Sequence, residues 1–158
     1  MQNFKLVSEF QTIQRRSFEL ADTDILKPIP PAPKVSLVDG EFLELSTGYK
    51  MARGTGAAAV PSFAYIAEQG RYETQAIGKG PLLFMGPYEA DTLIMDPAQG
   101  TAIATVGQPV IVNDITLGGL ARRGLVGVVT PGTDLVVGWV TRLPANNGGY
   151  LRFLRANF

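Results

Sequence analysis

From Val35 onward the chain is cut at close intervals by glycine, proline, asparagine and aspartate, and the pieces between the cuts are short runs rich in Val, Ile, Leu, Phe, Tyr and Thr. This punctuation constrains the fold more than any other feature. Inside a helix a glycine costs about 1 kcal/mol and a proline about 3 kcal/mol relative to alanine, so no long helix spans these cuts. Short β-branched and aromatic runs between turn residues instead suit an antiparallel sandwich or barrel. The 18 glycines and 11 prolines make up about 18% of the chain, against a customary share of about 12%. The expectation is a mainly β protein: a small β-barrel, β-tulip-like or sandwich domain over residues 35–158, preceded by an extended N-terminal arm over residues 1–34.

The sharpest local signal is residues 35–38, then Asp39-Gly40, then residues 41–45. It predicts a hairpin closed by a two-residue type I′ turn, a geometry with positive φ at both central positions. Further strands are expected over residues 62–67, 82–85, 92–95, 102–106, 110–112, 125–129, 135–143 and 150–154, spaced evenly enough for a closed or sandwiched sheet. Before the last of these, Pro144-Ala145-Asn146-Asn147-Gly148-Gly149 predicts a turn-rich connector that folds the final strand back on its predecessor. Trp139, the one tryptophan, falls at an alternation position that predicts the sheet interior.

Residues 1–34 read differently. Phe4, Leu6 and Phe10 suit a strand period, while Leu6, Phe10, Ile13 and Leu20 suit a helical one, so periodicity leaves the element type open. The run Lys27-Pro28-Ile29-Pro30-Pro31-Ala32-Pro33-Lys34 predicts a polyproline II spacer of about 3 Å per residue. Ordering such a segment costs about 1–2 kcal/mol per residue. Its apolar residues therefore complete their own domain's core or gain burial against a neighbouring chain, and the second is favoured. The candidate partner contacts are Phe4, Phe10, Ile13, Phe18, Leu20, Pro28, Pro30, Pro31 and Pro33. On this reading, deleting residues 1–34 leaves a folded β domain that attaches poorly.

Candidate chemistry is sparse. The chain contains no cysteine and no histidine, which removes thiolate catalysis, zinc fingers, Ser-His-Asp triads and most transition-metal sites. Fourteen basic residues balance fourteen acidic ones, so the basic field that nucleic-acid binding depends on is not expected. No apolar run approaches the roughly 20 residues of a membrane helix, and residues 1–10 lack a signal peptide's apolar stretch. A soluble, unexported protein without nucleic-acid or membrane partners is expected. Gly54-Thr55-Gly56 lacks the third glycine and the flanking strand and helix of a dinucleotide-binding turn, and reads as a surface loop of small residues. The pairs Asp22/Asp24 and Glu41/Glu44 read as solvated carboxylates, and Lys79 as a turn residue. Arg15-Arg16 and Arg122-Arg123 are either solvated charges or anchors for a partner's carboxylate. Neither enzyme activity nor a cofactor is expected.

The order Gly107-Gln108-Pro109-Val110-Ile111-Val112-Asn113, then residues 123–130, then Asp134-Leu135-Val136-Val137-Gly138-Trp139-Val140 resembles the small β domains of tailed-phage capsid decoration proteins. In that family a Gly-x-Pro-Val strand is followed by a Gly-Val-Val strand and a short apolar strand with a glycine. Val38-Asp39-Gly40-Glu41-Phe42 also resembles their opening strands. The resemblance spans residues 36–158 and rests on glycine placement and strand order. It implies a cement protein made in the host cytoplasm and carried on the outer capsid surface of the virion. It further implies binding to the major capsid protein, often as a homotrimer, with the N-terminal arm reaching neighbouring capsid subunits. The arm here is longer and richer in aromatics than those of the lambda-type proteins, which leaves its binding site and the oligomeric state open. The alternatives are another phage head or tail assembly component, separable by its location on particles, and a trimeric β-fold enzyme of dUTPase type, separable by a nucleotide hydrolysis assay.

Overall fold

The computed structural model describes residues 3–9, 14–21, 37–53, 61–66, 79–85, 87–96, 103–127 and 134–155. Within them lie eleven strands: β1 (Phe4–Glu9), β2 (Gln14–Glu19), β3 (Phe42–Leu45), β4 (Met51–Ala52), β5 (Ser62–Ala64), β6 (Lys79–Met85), β7 (Tyr88–Thr92), β8 (Pro109–Leu117), β9 (Leu120–Val126), β10 (Gly138–Arg142) and β11 (Leu151–Arg155). The only helix among the described residues is two single 3-10 turns, Thr47–Tyr49 and Pro144–Asn146, so none is long and apolar enough to cross a membrane. The protein is mainly β, a small domain of the barrel-like class, as the punctuation requires.

Six strands form one antiparallel sheet in the order β1-β7-β11-β10-β8-β9. The sheet curls. Residues 93–96, which continue from β7, reach the far edge, where the Leu125 amide donates to the Ile94 carbonyl at 3.0 Å and the Asp96 amide to the Leu125 carbonyl at 3.1 Å. The continuation of the second strand thus meets the last one and partly closes a barrel. Gly124 makes the closure possible, because a Cβ there would lie 2.5 Å from the Ile115 side chain and 2.7 Å from the Ile94 carbonyl.

The core lies between the inner face of this sheet and a three-stranded sheet, β4-β3-β5, which supplies Phe42 and Ala64. Phe153 is its centre, with ring centroids 6.1 Å from Tyr88 and 6.4 Å from both Phe4 and Phe42. Such aromatic pairs contribute about 0.5–1.5 kcal/mol each beyond the area they bury. On the other side of β3, Leu43 packs with Leu20, Met51 and Tyr65 in a second buried cluster.

The described part of residues 1–34 is paired within this chain, β1 in the six-stranded sheet and β2 in a separate two-stranded sheet with β6. β1 pairs with β7, Phe4 opposite Thr92, and β2 pairs with β6. Leu20 bridges Met51, and the Ala21 amide donates to the Met51 carbonyl at 2.8 Å.

Several local expectations are corrected. Asp39-Gly40 does turn the chain, with the Glu41 amide donating to the Val38 carbonyl at 3.1 Å. Only Gly40 of the two central residues has positive φ, +85°, which is type II rather than I′ geometry, and β3 pairs with β4 and β5 instead of with residues 37–38. The type I′ hairpin sits elsewhere, at Gly118 and Gly119 (φ +59° and +77°), joining β8 to β9 with Leu117 opposite Leu120. The strand expected over 92–95 is β7, ending at Thr92; residues 103–106 are not a strand. The connector before β11 folds back as expected, β10 and β11 being antiparallel neighbours. The 54–56 loop lies outside the described residues.

Candidate functional site

Two groups of side chains stand out, one buried and one exposed. The buried group is built on Glu41, the residue after the Gly40 turn, whose side chain is fully enclosed. Its carboxylate accepts the Val38 amide at 3.2 Å and the Arg123 amide at 3.3 Å. It also accepts hydrogen bonds from the Arg53 guanidinium and from Arg122 Nη1, the latter at 3.2 Å. Arg123 turns the other way, to Asp114 Oδ1 at 3.0 Å and toward Glu44 at 3.8 Å. Arg122 and Arg123, 8% and 1% exposed, are therefore neither a solvated pair nor anchors for another protein. Glu41, expected in solvent, is their counter-ion. The cluster ties β3 to β9, and with both Glu41 carboxylate oxygens bonded to a cation and an amide it is suited to holding two sheets in register rather than to moving protons.

Arg155 is a third buried cation, outside this cluster. It donates to the Ser62 carbonyl at 2.6 Å and lies 5.5 Å over the Phe63 ring. Burial pushes its pKa down, partly opposed by Tyr88 beside it, whose hydroxyl pKa burial pushes up.

The exposed group is on the outer face of the six-stranded sheet. Antiparallel register puts Ser8, Glu89, Leu154, Trp139 and Pro109 side by side across β1, β7, β11, β10 and β8. Directly paired residues point to the same face, so Pro109, Trp139 and Leu154 make an apolar row, bordered by Glu89, which accepts from the Thr141 hydroxyl. Trp139 is 42% exposed, against the expectation that it is interior. Gly138 and Val140 take the inward positions: a Cβ on Gly138 would collide with the Leu154 carbonyl oxygen, so only glycine fits there and the tryptophan is turned out. The polar Thr141, two residues on and on the same face, is the sequence signal for that orientation.

One row further along, Asp91 sits between Lys5 and Arg152 in register. It accepts from Arg152 Nε at 2.8 Å and Nη2 at 3.0 Å, and from Asn147 Nδ2 at 2.8 Å. The Arg152 hydrogen bond, more than any other influence, holds the Asp91 carboxyl below its ordinary pKa. Lys5 Nζ lies 4.3 Å from the centroid of the Tyr150 ring. This paired border fixes the strands beside the apolar row without contributing a mobile acid or base.

Of the partner contacts expected from sequence, Phe4 and Leu20 are buried in this chain's own clusters and Phe18 packs against the second of them. Phe10, Ile13, Pro28, Pro30, Pro31 and Pro33 lie outside the described residues. Sequence reasoning missed the outward row because strand register is set by pairing partners distant in the chain. Comparison with known proteins finds no matching family model, no matching curated protein and no matching solved structure.

Proposed function

We propose that this chain is a viral structural protein that binds the outer capsid surface of a tailed-phage particle and cements neighbouring capsid subunits, in keeping with the strand order and glycine placement of residues 36–158. The structural observation that carries the reading is the outward row Pro109, Trp139 and Leu154 on a rigid sheet. An apolar strip centred on a tryptophan and rimmed by paired charges has the composition of a protein-contact core, in which tryptophan is over-represented and unpaired charge is not. The ion-paired carboxylates Glu41, Asp91 and Asp114 support a holding role over a catalytic one. Attachment thus rests on the barrel face, with Phe10, Ile13 and the prolines of residues 28–33 as the segment's further contacts.

The test is cosedimentation of the full-length protein with shells assembled from the phage's major capsid protein, followed by electron microscopy of labelled particles. Saturable binding spread over the outer shell is the expected result. Label confined to the tail or portal vertex, or no cosedimentation, overturns the proposal.

A further inference from the structure

Tyr49 is 87% exposed, more than any other large apolar or aromatic side chain among the described residues. It stands at the tip of the hairpin between β3 and β4, whose ladder pairs Glu44 with Ala52 and Leu45 with Met51 and is capped by the Ser46 amide donating to the Lys50 carbonyl at 2.7 Å. Its φ is +59°, and it is the one non-glycine among the described residues in the left-handed region. Glycine and asparagine adopt that conformation readily; an aromatic residue does not.

Both facts count against tyrosine as a choice for the fold. The backbone is strained, and a ring so exposed packs on almost nothing of its own chain. Strained backbone clusters at binding sites and ligand clamps, so its coincidence with an exposed ring points to a use outside the chain. The tip's chemistry narrows the use. Leu45, at the base of the hairpin, is 48% exposed and adds a second apolar surface. The adjacent cation, Lys50, lies 3.8 Å from the Glu19 carboxylate, so the tip presents an apolar knob with a hydroxyl rather than a net charge. A narrow protruding knob of that kind fits a pocket in a folded protein, the setting in which tyrosine anchors dominate binding energy.

We infer that Tyr49 is an insertion finger that seats in a pocket on a capsid subunit. The inference deepens the cementing proposal and rests on it. The finger and the Trp139 row are separate contacts, and each raises the effective concentration of the other.

The experiment measures shell binding and thermal melting of full-length wild type, Tyr49→Gly, Tyr49→Asn and Tyr49→Phe. Glycine and asparagine relieve the backbone strain, so these two variants should melt within about 2 °C of wild type or higher, while their affinity for shells falls at least tenfold. Tyr49→Phe should keep most of the affinity. Opposite signs for stability and binding are what a merely structural tyrosine cannot give. Unchanged affinity in Tyr49→Gly, with wild type binding normally, sinks the finger alone; wild type that ignores shells sinks the cementing proposal with it. Loss of oligomer mass in Tyr49→Gly by light scattering, with shell affinity intact, places the pocket on a second copy and overturns the assignment to a capsid subunit.

Discussion

Phe4 lies directly against Gly40: a Cβ built on Gly40 would sit 2.7 Å from the Phe4 Cβ. The glycine is thus required twice, for its φ of +85° and for the close approach of β1. Gly48 also has positive φ, +70°, but a Cβ added there would meet nothing within 4 Å. Gly40→Ala should therefore lose about 2–3 kcal/mol of stability and Gly48→Ala about 1 kcal/mol. Denaturant titration of the two variants reads the difference. Equal losses would mean that the Phe4 contact carries no weight.

The same contact changes what the N-terminal segment is expected to do on deletion. Because Phe4 is 2% exposed among Tyr88, Phe153 and Gly40, Phe4→Ala should cost about 3–5 kcal/mol. Removal of residues 1–34 strips β1 from the large sheet and Leu20 from the second cluster, so the remainder should lose its cooperative melt rather than persist as a trimmed domain. Circular dichroism melts of both forms give the answer, and a truncated protein with a sharp wild-type transition would show that β1 and β2 are accessory.

Glu41 fixes the position of β3 against β9 through Arg53, Arg122 and the Arg123 amide. Removing one member of a buried ionic group strands the others without solvent, which costs about 3–5 kcal/mol. Glu41→Ala is expected in that range. Arg53→Ala should cost less, since its side chain is 21% exposed and water can replace part of what it loses. If the two variants unfold at the same denaturant concentration, the carboxylate is not the hub of the group.

How much of this is legible in the sequence depends on the range of the interaction. The β class follows from punctuation, and the turn at Gly40 and the β10–β11 return from local turn chemistry. The Gly118-Gly119 hairpin is also local, but Asn113, Asp114 and Thr116 interrupt the apolar run before it and hide the length of β8. Glu41 reads as a surface carboxylate because two of its partners, Arg122 and the Arg123 amide, come from a strand far off in sequence, 81 and 82 residues further along the chain. Hydrophobicity alone assigns Trp139 inward, whereas the backbone approach at Gly138 decides the parity of β10.

Asp91 gives the protein an acid-sensitive contact. Its folded-state pKa lies below the ordinary 3.8, chiefly through Arg152. A depressed carboxyl pKa contributes stability that is complete above the unfolded value and is lost as pH falls through the folded one. Stability should thus fall as pH drops below 3.8, and Asp91→Asn should flatten that limb while lowering stability at neutral pH. Guanidinium titrations from neutral pH down through the acid limb compare the curves; parallel acid limbs in the two proteins would remove Asp91 from the account.

The outward row makes the sharpest separation of binding from folding. Trp139 is 42% exposed on an otherwise well-supported strand, and threonine is a good strand former, so Trp139→Thr should cost only about 1 kcal/mol of stability. If the row is the contact face, the same change should weaken shell binding at least tenfold, since truncating a central tryptophan removes about 2 kcal/mol or more of binding energy. Phe153→Leu is the control from the opposite side of the sheet, where the ring is fully buried. It should lower the melting temperature yet leave affinity per folded molecule near wild type, because the residue faces the core and reaches the partner only through the backbone. A Trp139→Thr protein that binds shells as wild type does would move the contact off this face.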